Sequence, residues 1–267
     1  MPIGYHGRAS SVVVSGTPVV RPSGQTRAPD QDPVFGPTQA PRLRGRARAS
    51  SSGRATRSAS RIAIDEAEDH LFGVVLLNDW SARDIQAWEY QPLGPFLAKS
   101  FATTMSPWIV TMEALEPFRC RPFERDAGGP AAAAVSALRE RPEGIDISLE
   151  MHLRTPKMKA PVRLSRGNAR DAYWTAAQMV AHHTSNGCNL QPGDLLGSGT
   201  LSGATPDALG SLMELTQAGK APLRLPSGET RTFLEDGDEA IQRGRCERDG
   251  AVAIGFGAAA GRIAPAR

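Results

Sequence analysis

The apolar run at 71–77, LFGVVLL, breaks directly into polar residues. A run of that length and composition predicts one buried strand. Asn78 and Asp79 then turn the chain. Ser81, followed three residues on by Asp84, has a capping-box pattern, so a short helix is expected to start there. On that helix Arg83, Gln86 and Tyr90 are spaced to share a face, while Ile85 and Trp88 point elsewhere, toward the core. Pro92 and the turn at 93–95 end the helix, and Lys99 follows in a second apolar run. A carboxylate at a strand end, a guanidinium, an amide, a phenol and a lysine thus converge on one pocket. Burying so many polar groups is costly unless they bind something. A capped surface helix with a salt-bridged Arg83 is the plain alternative, and spacing alone does not choose between the two.

The stretch NDWSARDIQAWEYQPLGPFLAKSFATT, 78–104, resembles the signature of the fumarylacetoacetate hydrolase family. The resemblance recurs in GYHGRASSVVVSGTP at 4–18, in YWTAAQMVAHHTSNGCNLQPGDLLGSGTLSG at 173–203 and in FLEDGDE at 233–239, and covers roughly 1–37 and 62–267. It implies a β-rich α+β fold, a C-terminal catalytic β-roll or sandwich with few short helices. It also implies a hydrolase that cleaves the carbon–carbon bond of 4-fumarylacetoacetate to fumarate and acetoacetate, the last step of tyrosine and phenylalanine breakdown.

Carried over residue by residue, the resemblance gives roles. Asp79 becomes a ligand of a calcium ion, an oxygen donor suited to it. Lys99 and Thr103 flank a second, magnesium-like site. Arg83, Gln86 and Lys99 become donors to the developing oxyanion, and Glu214 the acid that orients a catalytic histidine. Tyr5, Gln86, Tyr90 and Thr200 become substrate contacts. The implied partners are a small diketo dicarboxylate and a second copy of the chain. The family's catalytic histidine, a further metal aspartate, a substrate arginine and a small SH3-like barrel domain correspond to sequence upstream of Met1. The whole of 1–267 is therefore expected to be the C-terminal catalytic domain, inactive as written. Its alternatives are a non-catalytic remnant that binds or dimerises, and a related acylpyruvate hydrolase.

Charge adds one local anomaly. The pI near 9.0 invites a nucleic-acid reading. But seven of the 31 basic residues are arginines at 42, 44, 46, 48, 54, 57 and 61, and no acid lies between Asp32 and Asp65. Without those seven, 24 basic residues face 28 acidic ones, so the body is mildly acidic and no nucleic-acid partner is expected. Residues 38–61 show no apolar period, only Arg, Ser, Ala and Gly, and are expected to be irregular. In the family this interval, at nearly equal length, carries two strands and a metal-binding E-x-E pair. Lost pattern at kept length suggests a shifted reading frame: the codons of 42–46 can be written so that a one-base move encodes Asp-Ser-Glu-Val-Glu. Read depth across the gene tests this.

The rest of the chain is less pointed. No run is apolar enough to span a membrane and no signal pattern precedes the first strand, so a cytoplasmic protein is expected. Cys120, Cys188 and Cys246 are too few and scattered for a disulfide framework or zinc site. His6 reads as structural. The segment 145–154 alternates as a half-buried strand with His152 on its solvated face. A helix is expected over 169–185, with His182 and His183 making dipole or cap contacts near its end. The run 195–203 reads as a strand entering a glycine-rich turn, and Glu214 as part of a short apolar strand. Asp79, Lys99, Thr200 and Glu214 are expected to line one cleft.

Overall fold

The structure, a computed structural model, describes residues 7–28, 30–42, 45–53, 55–57, 59–124 and 143–267, with 42 and 45–52 described by backbone alone. Tyr5, His6 and Arg44 lie outside the described residues. Two sheets carry the fold. Their strands, in chain order, are β1 (Val12–Val14), β2 (Val19–Val20), β3 (Gly45–Ser52), β4 (Leu71–Asp79), β5 (Thr103–Met105), β6 (Val110–Thr111), β7 (Ser148–Arg154), β8 (Val162–Asn168), β9 (Leu195–Gly197), β10 (Glu239–Cys246) and β11 (Ile254–Ala264). The helices are short: α1 (Arg83–Glu89), α2 (Leu97–Ser100), α3 (Ala176–Thr184) and α4 (Leu212–Leu215). One sheet runs β1-β5-β4-β3-β9, with β6 also pairing to β4; the other runs β8-β7-β10-β11-β2. The β-rich α+β class expected from the sequence is the one observed.

The strand predicted at 71–77 is β4, and every residue of it except Phe72 is buried. Its alternate side chains serve different layers. Val74 and Leu76 pack with Phe118, Ile147, Phe256 and Ala259, while Val75 and Leu77 pack with Met105 and Leu195. Glycines let the second sheet come this close. A Cβ on Gly244 would stand 2.8 Å from a Leu76 methyl, and one on Gly261 would stand 2.6 Å from the Trp80 ring. Trp80, fully buried, donates its indole N–H to Thr104 Oγ1 at 2.8 Å. The residue after Asp79 is thus fixed by both sheets.

Several local expectations are corrected. Residues 45–52 are not irregular: they form β3, antiparallel to β4 on one side and to β9 on the other. Ladder hydrogen bonds from two neighbours supply what an apolar period would have supplied, so composition is a poor guide to an inserted strand. The expected Ser81–Asp84 capping box does not form, and α1 starts at Arg83 with no side-chain cap. Ser81 is committed to Lys99, and Asp84 accepts from Thr38 Oγ1 and from the Gln39 N–H at 2.7 Å. Ile85 is buried, whereas Trp88 is half-buried, with its N–H on Gln25 and Arg27 over its ring. The helix expected over 169–185 is shorter: a single turn at Ala169–Asp171, then α3, opened by a reciprocal Thr175–Gln178 capping box. The 145–154 strand is broken into Gly144–Ile145 and β7, and His152 meets Glu150 at 3.0 Å rather than open solvent. Glu214 sits on helix α4, not on a strand. His183 meets the Met179 carbonyl at 3.0 Å, one turn back inside α3, rather than the last carbonyls of the helix.

Candidate active site

Asp79 closes β4, and antiparallel pairing sets Thr103 of β5 directly across from it. Helix α2 leads into β5 and carries Lys99 back over the same corner. The Lys99 Nζ stands 2.6 Å from Asp79 Oδ2, 2.6 Å from Ser81 Oγ, 2.9 Å from the Trp80 carbonyl and 3.1 Å from the Asp79 carbonyl. Asp79 and Lys99 are each only 3% exposed. Burial pushes the Asp79 carboxyl above its ordinary range, and the adjoining ammonium opposes that push. A buried pair of this kind costs desolvation of both ions, and is held by its geometry and its additional hydrogen bonds.

A second group lies on α1. Arg83 Nη1 donates to Gln86 Oε1 at 2.6 Å, as the shared face predicted, and Tyr90 follows at the helix end with 44% of its surface exposed. A third group joins Thr200 and Glu214. The Glu214 carboxylate accepts from Ser202 Oγ at 2.7 Å and Ser211 Oγ at 2.5 Å. The Gly210 N–H donates to that same Ser202 hydroxyl. A Cβ on Gly210 would collide with the Leu201 carbonyl and crowd the Thr200 methyl, so the 200–202 turn lies flat on the segment that opens α4. Trp80, next to Asp79, and Leu212, on the helix of Glu214, belong to one buried cluster.

Sequence reasoning missed Glu89. Its carboxylate accepts the backbone N–H groups of Phe96, Leu97 and Ala98, at 2.8, 3.1 and 2.7 Å. Those are the unsatisfied donors at the start of α2. Glu89 therefore orients the helix that delivers Lys99. The signal was a lone acid in a helix-ending stretch, too common to single out.

The resemblance implies calcium and magnesium ions. Hard divalent cations take six or more oxygens, rich in carboxylate. Among the described residues no group of three His, Cys, Asp or Glu side chains converges. The Asp79 carboxylate is engaged by the Lys99 ammonium, and register puts Arg46, not an acid, opposite Leu77, two residues before Asp79. The described residues do not fit such an ion.

Comparison with known proteins agrees with the motifs. The family described as fumarylacetoacetate (FAA) hydrolase C-terminal matches residues 53–263. The fumarylacetoacetase of Dictyostelium discoideum is 48% identical over 271 residues, covering 100% of this chain and 62% of its own length. That of Arabidopsis thaliana is 49% identical over 266 residues, covering 99% and 62%. Among solved structures, the fumarylpyruvate hydrolase of Pseudomonas aeruginosa, in complex with Mn2+ and pyruvate, superposes with a TM-score of 0.53 at 16% identity. That superposition covers 96% of this chain and 76% of the hydrolase. This chain spans under two thirds of the length of the fumarylacetoacetases it matches. By the extent of the family match and by its identity to those enzymes, the chain belongs to the fumarylacetoacetate hydrolase family.

Proposed function

We propose that this chain is the core of a fumarylacetoacetase, shaped to hydrolyse the carbon–carbon bond of a 1,3-diketone that carries a carboxylate at each end. The observation that carries it is the buried Asp79–Lys99 pair at the end of β4, in a chain about half identical to fumarylacetoacetases. In the reaction water adds to one carbonyl carbon, the bond to the neighbouring methylene carbon breaks, and the electron pair leaves on acetoacetate as an enolate. That charge needs donors placed before it forms. Arg83 and Gln86 are the donors assigned to it, Lys99 fixes the corner, and Tyr90 and Thr200 are assigned further polar contacts to the ends of the substrate. Tyr5 is assigned to the substrate by its motif alone. Glu214, held by Ser202 and Ser211, is assigned the orienting of the general base.

Calcium and magnesium belong to the family's chemistry, but the described donors do not fit them. A homodimer acting in the cytoplasm belongs to the same proposal. The test is a chimaera in which the unmatched portion of the Arabidopsis relative is joined to this chain in native order, with and without Arg44→Glu and Arg46→Glu. Consumption of the diketone is followed by its ultraviolet absorbance. The 267-residue chain alone is expected to fall short by the roughly 10²–10⁴-fold that a missing general base costs. The chimaera with both glutamates should turn over and lose turnover on Arg83→Gln. A silent chimaera, or robust turnover by the unmodified chain, would overturn the assignment.

A further inference from the structure

The corner at 79–81 has the form of a cation site whose cation is covalently attached. Four oxygens converge on the Lys99 nitrogen: one carboxylate oxygen of Asp79, the carbonyls of Asp79 and Trp80, and the Ser81 hydroxyl. Their distances run from 2.6 to 3.1 Å. Calcium–oxygen distances are about 2.3–2.6 Å and magnesium–oxygen distances about 2.0–2.1 Å. The nest is therefore sized for an ammonium. One carboxylate also balances one positive charge, not two. The oxygens are not arranged by Lys99 alone. Two are backbone carbonyls fixed where β4 ends, and the tryptophan between them is clamped by Thr104 and by the close approach of Gly261. Ser81 is itself fully buried, and its residue pairs with Arg42. The nest is thus held by elements that would remain if the lysine were shortened.

We propose that the cation of this site is the chain's own Lys99 ammonium, and that shortening this side chain opens a site for a free ammonium-sized cation. Lys99 is then a positioning residue that holds the Asp79–Ser81 corner, and the unaltered chain takes no divalent ion there. The inference rests on the geometry of the corner, whose Asp79–Lys99 pair the hydrolase assignment also uses, and its readouts are stability and metal content rather than turnover.

The experiment uses the 267-residue protein, its Lys99→Ala variant, and the Asp79→Asn/Lys99→Ala pair. Thermal unfolding is compared in ammonium chloride and in tetramethylammonium chloride at equal ionic strength, the second ion being too large for the nest. Metal content of the unaltered protein is measured after exposure to Ca2+, Mg2+ and Mn2+. The unaltered protein should melt alike in both salts and retain no stoichiometric metal. Lys99→Ala should lose on the order of 10 °C in tetramethylammonium, the loss given by an unpaired buried carboxylate in a protein of this size. It should regain most of that in ammonium, by mass action of a ligand bound only to the folded state. The double variant, with no charge left in the nest, should show no ammonium-specific gain. If Lys99→Ala does not fold in tetramethylammonium, refolding from urea in the two salts reads the same comparison. Equal behaviour of Lys99→Ala in both salts overturns the proposal. So does a stoichiometric divalent ion in the unaltered protein. Either result leaves the chimaera assay, and the function it tests, untouched.

Discussion

Arg231→Met should be among the most damaging single substitutions in this chain, although Arg231 touches none of the catalytic candidates. Its guanidinium is buried and grips Asp238 with two bonds, Nε to Oδ2 at 2.8 Å and Nη2 to Oδ1 at 3.1 Å. Nη2 also reaches Glu229 at 3.1 Å and Glu235 at 3.3 Å. Asp238 is fully buried, and beyond Arg231 its carboxylate accepts the Glu235 N–H at 2.9 Å. Methionine keeps the packed stem but strands that carboxylate. Removing one partner of a buried pair costs about 3–5 kcal/mol. At roughly 2–4 °C of Tm per kcal/mol for a protein of this length, the drop is on the order of 10 °C. Arg231→Lys should recover only part, because an ammonium cannot make the two-pronged grip. Adding Asp238→Leu to Arg231→Met should restore much of the loss, since the fully buried charge is then gone and the carboxylates left behind, Glu229 and Glu235, reach solvent. The assay is urea unfolding of the three variants against the unaltered chain, with a check that the m-value is unchanged. A cost below about 1 kcal/mol for Arg231→Met, or a double variant whose loss is the plain sum of the singles, would refute the reasoning.

Acid should act through Glu229. Hydrogen bonds from Thr155 and Ser227, with Arg231 adding to them, hold its carboxyl down at about 2, against an ordinary value of 4.5. A lowered folded-state value means stability that is complete above the unfolded-state value and lost as pH falls from about 4.5 toward 2. Unfolding measured across that window should therefore be less steep in pH for Glu229→Gln, and an unchanged slope would count against it. Thiol reactivity should be sharply uneven. Cys246 is buried and its thiol is pushed up to about 12, chiefly by burial, while Cys188 is exposed. At pH 8 an alkylating reagent should modify Cys188 and spare Cys246 in the folded protein, as peptide mass mapping would show. Rapid labelling of Cys246 under native conditions would contradict the packing around it.

Much of the site could be read from the sequence because its parts are local. An apolar run ending in Asn78 and Asp79, then a helix with Arg83 and Gln86 one turn apart, fixes which groups appear together whatever surrounds them. Lys99 was legible as a nearby lysine but not as the occupant of a four-oxygen nest, since two of those oxygens are carbonyls that no side-chain pattern reports. Glu89 was invisible for the same reason: its partners are backbone N–H groups of a helix seven to nine residues away.

What the sequence by itself determined is the family and the β-rich class, together with which candidate groups lie near one another in the chain. Tertiary structure alone decided the rest. It made a strand of 45–52, where composition argued for none, because the ladder groups of β4 and β9 stand on either side and backbone pairing does not consult side chains. It diverted Ser81 and Asp84 from capping α1 to Lys99 and to the 38–39 backbone and hydroxyl, because partners distant in sequence were already buried beside them. And it turned Glu214 from a strand residue into a helix residue, gripped by two serines, because a four-residue apolar segment has no period of its own and takes the conformation its neighbours impose.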